Sequence, residues 1–123
     1  MRLKHFNLQI GSQLMKALGD ETRIRILNLL RVNGELTTSD LEFVLNYTQS
    51  KTSRHLAYLR NSGILNTRKE DQWVIYSIKE EVEEIIAQLL SFVEKDTQLK
   101  EDLKTFQTLY SNRELVANKL NNQ

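Results

Sequence analysis

The stretch TQSKTSRHLAYLRNSGIL, residues 48–65, decides how the rest of the chain is read. Thr48 is a good N-cap and Gly63 a good C′ residue, and between them Thr52, Leu56 and Leu59 recur at helical spacing. On a wheel of about 100° per residue, Thr52, Leu56, Leu59 and Gly63 gather on one side. Ser50, Arg54, Ala57, Tyr58 and Asn61 lie opposite, with Lys51 and Ser53 at the flanks and His55 at the border of the buried stripe. The outward face of the helix Gln49 to Ser62 therefore carries small, hydrogen-bonding and cationic side chains and no carboxylate. Arginine can meet a guanine edge bidentately, Ser and Gln can donate or accept, and Lys meets phosphate. Gln49 and Ser50 stand at the N-terminal end, where such helices enter the major groove and the helix dipole favours phosphate.

Upstream, Asn46-Tyr47-Thr48 is a three-residue connector from a short helix. Thr37 and Asp40 form a Thr-x-x-Asp capping box for that helix, and Leu41, Val44 and Leu45 point inward. Two helices joined so tightly are a helix-turn-helix, here residues 37–62. Before it, Asp20 caps a helix with Ile24, Leu27 and Leu30 on its buried face, widened by Ile26, Leu29 and Val32, and Asn33-Gly34 ends it. The first segment repeats Leu3, Phe6, Ile10, Leu14 and Leu18 at helical spacing, broadened by Met15 and Ala17.

Downstream, Leu65 to Lys69 and Trp73 to Ile78 are rich in β-branched and aromatic types, with Glu70-Asp71-Gln72 between them, which predicts a two-stranded hairpin over 65–78. Helical spacing returns with Val82, Ile85, Ile86, Leu89, Leu90 and Val93, breaks around Asp96-Thr97, and resumes with Leu99, Leu103, Phe106, Leu109, Tyr110, Val116 and Leu120. The expected fold is mainly α: a single winged helix-turn-helix domain over 1–123. The first helix (1–18) and the last two (80–120) carry more apolar surface than one small winged domain needs, so they are expected to form a homodimer.

Composition agrees with this order. The 123 residues suit one domain, with 40% apolar and 27% charged content, four glycines and no proline. Nothing approaches the roughly 18 continuous apolar residues of a membrane span, and the N-terminus lacks a secretory apolar run. A cytoplasmic protein without membrane contact is expected. The sequence has no cysteine, which excludes disulfides, thiolate metal sites and thiol nucleophiles. Net charge is only +1, but its distribution is uneven. Six basic and two acidic residues lie between Asn46 and Lys79, whereas eight acidic and two basic ones lie between Glu80 and Asp102. A basic block beside an acidic one can orient a protein toward a polyanion.

Two stretches also carry a resemblance. Residues 16–30, KALGDETRIRILNLL, resemble the second-helix signature of the ArsR/SmtB repressor family, and residues 48–65 resemble its recognition helix. Residues 73–78, WVIYSI, fit the returning strand of its wing. The resemblance implies a homodimeric repressor that loses DNA affinity when an inducer binds, with Gln49, Ser50, Ser53 and His55 at or near the DNA. The candidate DNA-facing residues are then Thr48, Gln49, Ser50, Lys51, Ser53, Arg54, His55, Tyr58 and Asn61, with Arg68 and Lys69 in the hairpin. The expected partner is operator DNA carrying an inverted repeat.

The chain also departs from that family. Where one metal-sensing branch carries cysteines on the third helix, this sequence has Thr38, Ser39 and Asp40. Where another uses histidines on the C-terminal helix, none follows His55, and His5 is the only other histidine. Zinc and soft metals want His or Cys ligands, so no metal site and no cofactor is expected, and the effector stays unassigned. The hairpin lacks a glycine at its tip and carries Glu70 and Asp71 there. The segment from Glu94 onward is longer than the minimal family pattern.

The alternative is a winged-helix module that binds protein and not DNA, through the acidic 80–102 block or an uncovered apolar helix. Enzyme activity is not expected. Ser53 and His55 are neighbours on one helix without an orienting acid, and there is no glycine-rich phosphate loop.

Overall fold

The computed structural model describes residues 6–121, with side chains through residue 111. Leu3 and His5 lie outside the described residues, as do the side chains of Val116 and Leu120. The elements run α1 (Leu8–Ala17), α2 (Glu21–Asn33), β1 (Leu36–Thr37), α3 (Thr38–Leu45), α4 (Gln49–Asn61), β2 (Leu65–Glu70), β3 (Trp73–Ile78), α5 (Glu80–Leu90) and α6 (Thr97–Asn121).

Local chemistry explains most of the boundaries. Asp20 accepts from the Arg23 amide, Thr37 from that of Asp40, and Thr48 from that of Lys51, each satisfying a helix-start donor. At α3 the box is reciprocal, because the Asp40 carboxylate also accepts from the Thr37 amide at 3.0 Å. Gly34 and Gly63 take φ of 87° and 80° just past α2 and α4, a conformation open to glycine without a Cβ penalty.

α2 runs through the middle of the core. Its Ile26, Leu27, Leu29 and Leu30 are buried, and they share one cluster with Leu41 and Leu45 of α3, Leu56 and Leu59 of α4, and Ile86 and Leu90 of α5. Ile24 is half-buried, while Val32 and Met15, counted with the buried stripes on sequence, are exposed.

The wing is larger than a hairpin. β1 pairs antiparallel with β3, Leu36 opposite Tyr76 and Thr37 opposite Ile75, so the sheet has three strands in the order β1-β3-β2. A two-residue strand is too short to show alternation, and its partner lies some forty positions on. The β2–β3 connection is also tighter than the sequence indicates: Glu70 pairs with Trp73, and Asp71 takes the left-handed φ of 57° that a glycine would otherwise supply. Aspartate tolerates that region better than most residues.

The C-terminal half differs more. α5 ends at Leu90, so Val93 falls in a turn region reaching Asp96, with Phe92 exposed. α6 then packs across α2 and α3 of its own chain, burying Leu99, Asp102 and Phe106. The apolar face of its first turns is thus covered within the subunit.

Candidate nucleic-acid interface

α4 lies against the core through Thr52, Leu56 and Leu59, all fully buried. This fixes its rotation and turns Gln49, Ser50, Ser53, Arg54 and Tyr58 outward, with Lys51 and His55 half-buried at the two borders. The outward surface holds no carboxylate of its own helix. The Thr48 hydroxyl is engaged as the cap, accepting from the Lys51 amide at 3.1 Å.

Three side chains of α4 have partners that sequence reasoning missed. The Lys51 ammonium sits 3.8 Å from the centroid of the Tyr47 ring. The Arg23 guanidinium sits 4.0 Å from that of Tyr58. Arg23 also donates from Nε to the Ala17 carbonyl at 2.7 Å and from Nη2 to the Lys16 carbonyl at 3.0 Å, so it caps the end of α1 while stacking on α4. His55 lies within the field of Asp20, Arg23, Arg54 and Lys51. Burial pushes its imidazole below the ordinary 6.5, the Asp20 carboxylate opposes this, and the three cations add to it. Asp20 in turn is lowered: burial raises it, but the Arg23 amide bond and the charges of Arg23 and His55 outweigh that.

Asn61 stands apart. It is eleven residues beyond Ser50, about 16 Å along the helix at 1.5 Å per residue. There it lines a cavity with Phe6, Ile10 and Gln13 beside α1 and Lys79 and Glu81 beside α5.

In the wing, Arg68 is not a free cation. Its Nε and Nη2 donate to the two Glu35 oxygens at 2.9 and 3.2 Å, and its Nη1 donates to Glu70. These bonds raise the Arg68 pKa, with Glu35 the larger contributor, and the Arg68 guanidinium holds Glu35 below its usual value. Lys69, on the neighbouring position of the same strand, is exposed. The Asp40 carboxylate is buried and committed to the capping box. Among the described residues, no three His, Cys, Asp or Glu side chains converge as a metal site, and no helix is long and apolar enough to cross a membrane.

A carboxylate-free helix, seated on a second helix across a three-residue turn and followed by an antiparallel wing, defines a winged helix-turn-helix of the kind that reads nucleic acid. Comparison with known proteins leads to the same class. Residues 20–67 match the family model described as "Bacterial regulatory protein, arsR family". The Escherichia coli arsenical resistance operon repressor is 52% identical over 66 residues, 54% of this chain and 56% of that protein. An arsenic resistance transcriptional regulator of Pseudomonas putida is 41% identical over 80 residues, 65% of this chain and 62% of that protein. The chain therefore spans little more than half the length of these two relatives.

The structure of HlyU from Vibrio cholerae superposes with a TM-score of 0.65 at 39% identity, covering 72% of this chain and 96% of that one. A homodimeric winged helix-turn-helix DNA-binding domain from Mycobacterium bovis shares the fold at TM-score 0.65 and 24% identity, covering 72% of this chain and 82% of that one. The chain belongs to the ArsR family of bacterial regulatory proteins, a class of transcription regulators and not of enzymes.

Proposed function

We propose that the chain is a cytoplasmic transcriptional repressor that binds double-stranded operator DNA as a homodimer and leaves it in response to an effector. The observation that carries this reading is the outward face of α4, cationic and hydrogen-bonding with no carboxylate from Gln49 to Asn61. On this reading Gln49, Ser50, Ser53 and Arg54 meet base edges. Thr48, Lys51 and Lys69 meet phosphates, and His55 and Tyr58 border the groove. Asn61 belongs to the end of the helix facing α1 and α5, and Arg68 joins only where its bonds to Glu35 and Glu70 open.

α1 leaves Leu8 and Met15 exposed two turns apart on one face, which supports a dimer contact through that helix. A two-fold dimer places its recognition helices on half-sites about one helical turn, roughly 10 bp, or a multiple apart, so the operator is an inverted repeat. The similarity to arsenic resistance regulators does not extend to a thiolate site here, because the sequence holds no cysteine. The effector is accordingly not a soft metal held by cysteine or by histidine pairs. Stoichiometric binding of zinc, cadmium or arsenite in isothermal titration would overturn that part.

The test of the main reading is duplex binding followed by fluorescence anisotropy across a salt series. Affinity should fall steeply as salt rises through counterion release. Arg54→Ala should reduce discrimination between sequences by about 1–3 kcal/mol, and Lys69→Ala should flatten the salt dependence without changing sequence preference. Binding that ignores salt would favour a module that docks on protein.

A further inference from the structure

Tyr47 stands in the turn between α3 and α4, where three elements converge. Its hydroxyl lies 3.1 Å from Thr22 Oγ1 and accepts from Arg25 Nη1 at 3.4 Å. Its ring faces the Lys51 ammonium at 3.8 Å and the Arg25 guanidinium at 5.7 Å. Arg25 is itself held by α6, with Nε donating to Asp102 Oδ2 at 2.8 Å and Nη2 to Oδ1 at 2.9 Å. Gln98 Nε2 donates to the same Oδ1 at 3.0 Å. Asp102 is only 2% exposed. A continuous set of contacts thus runs from a buried carboxylate on α6 to an ammonium in the first turn of the DNA-facing helix.

Each link restricts the next. A bidentate carboxylate fixes the plane of a guanidinium. That guanidinium and Thr22 fix the phenol hydroxyl, and hence the ring. A ring face holds an ammonium in place, and a lysine so held loses less rotamer freedom when it meets phosphate. α6 lies outside residues 20–67, the part matched by the family model. The outermost link is therefore supplied by this chain's own C-terminal segment.

We propose that Tyr47 is a positioning residue for Lys51 in DNA binding, and that α6 sets its position through the Asp102–Arg25 pair. Docking of α6 and binding of DNA are then coupled, each favouring the other. The inference rests on the reading of α4 as the DNA-facing helix.

The experiment uses the full chain and a short fluorescein-labelled duplex of mixed sequence, with anisotropy read across a salt series and folding checked by circular dichroism. In the wild type, Lys51→Gln should weaken binding about fivefold and make the salt slope shallower by about 0.9 per subunit. In a Tyr47→Leu background the same change should cost less than about twofold, the sign of coupling in a double-mutant cycle. Tyr47→Phe keeps the ring but cuts its tie to Thr22 and Arg25, so it should weaken binding about threefold by itself and reduce the effect of Lys51→Gln to about twofold. Asp102→Asn should weaken the wild type about threefold and add nothing to Tyr47→Phe, where the link is already cut. If Tyr47→Leu fails to fold, the Asp102→Asn and Tyr47→Phe pair decides alone.

Equal effects of Lys51→Gln in the wild type and in Tyr47→Leu would overturn the proposal. So would tighter binding by Tyr47→Leu, or an Asp102→Asn variant that melts earlier but binds DNA unchanged. A Lys51→Gln variant with wild-type binding overturns it as well. Wild-type protein with no salt-dependent duplex binding would instead refute the reading of α4.

Discussion

Replacing Glu35 and Glu70 by glutamine together should strengthen DNA binding through Arg68. In the free protein Arg68 meets two Glu35 oxygens and one Glu70 oxygen, so its charge is answered within the wing. Both carboxylates are exposed, and exposed ion pairs hold little stability. The double variant should therefore melt close to the wild-type temperature. What changes is the number of cations available to phosphate. Each added phosphate contact steepens the salt slope by about 0.9, and near 0.15 M salt this amounts to about fivefold in affinity per subunit.

The assay is anisotropy on one duplex over a salt series, comparing wild type, the double variant, and the double variant carrying Arg68→Gln. The expected result is a steeper slope and a tighter Kd in the double variant, both reversed by Arg68→Gln. A gain that survives Arg68→Gln would come from removing negative charge near DNA, and the reasoning about Arg68 would be wrong. An unchanged slope would mean that the wing stays away from phosphate.

Other outcomes follow from the same geometry. His55 has its pKa held below 6.5 in the fold, so the native state favours neutral imidazole. Its contribution is complete above 6.5 and is lost as pH falls from there through the folded value. Urea denaturation of wild type against His55→Gln should show that loss only in the wild type, and an NMR titration midpoint at or above 6.5 would contradict it. Thr37→Ala removes one half of the α3 capping box and should cost about 1 kcal/mol in urea denaturation. Leu56→Ala empties a fully buried position behind the recognition helix and should cost about 2–5 kcal/mol in the same measurement, with DNA binding lost as the helix loosens. Gly63→Ala meets no atom within 4 Å of the new Cβ, so its cost should be the backbone term alone, about 1–2 kcal/mol.

Most of the fold was legible because its signals are short in range. The caps at Asp20, Thr37 and Thr48 each act over three residues, and the glycines at 34 and 63 act at their own φ. The buried stripe of α4 repeats at the helical period, so the sequence alone determined the helix-turn-helix, the place of the wing, and which side of α4 faces outward. A wheel shows angle and not distance along the axis, so only the structure places Asn61 in a cavity with residues of α1 and α5.

What only the tertiary structure decided is which charged and aromatic side chains meet. Glu35 and Arg68 are 33 residues apart, and Arg25 and Asp102 are 77 apart. β1 and its partner β3 are separated in sequence by α3, α4 and β2. A charge in a sequence carries no mark of the group that will answer it. Arg68, expected from the sequence at phosphate, is paired with Glu35 and Glu70 in the protein alone, and only the structure shows that pairing. Likewise, nothing in the sequence of α6 marks that its Asp102 is buried against Arg25 of α2. Periodicity and capping are properties of neighbours along the chain, whereas ion pairs are properties of neighbours in space.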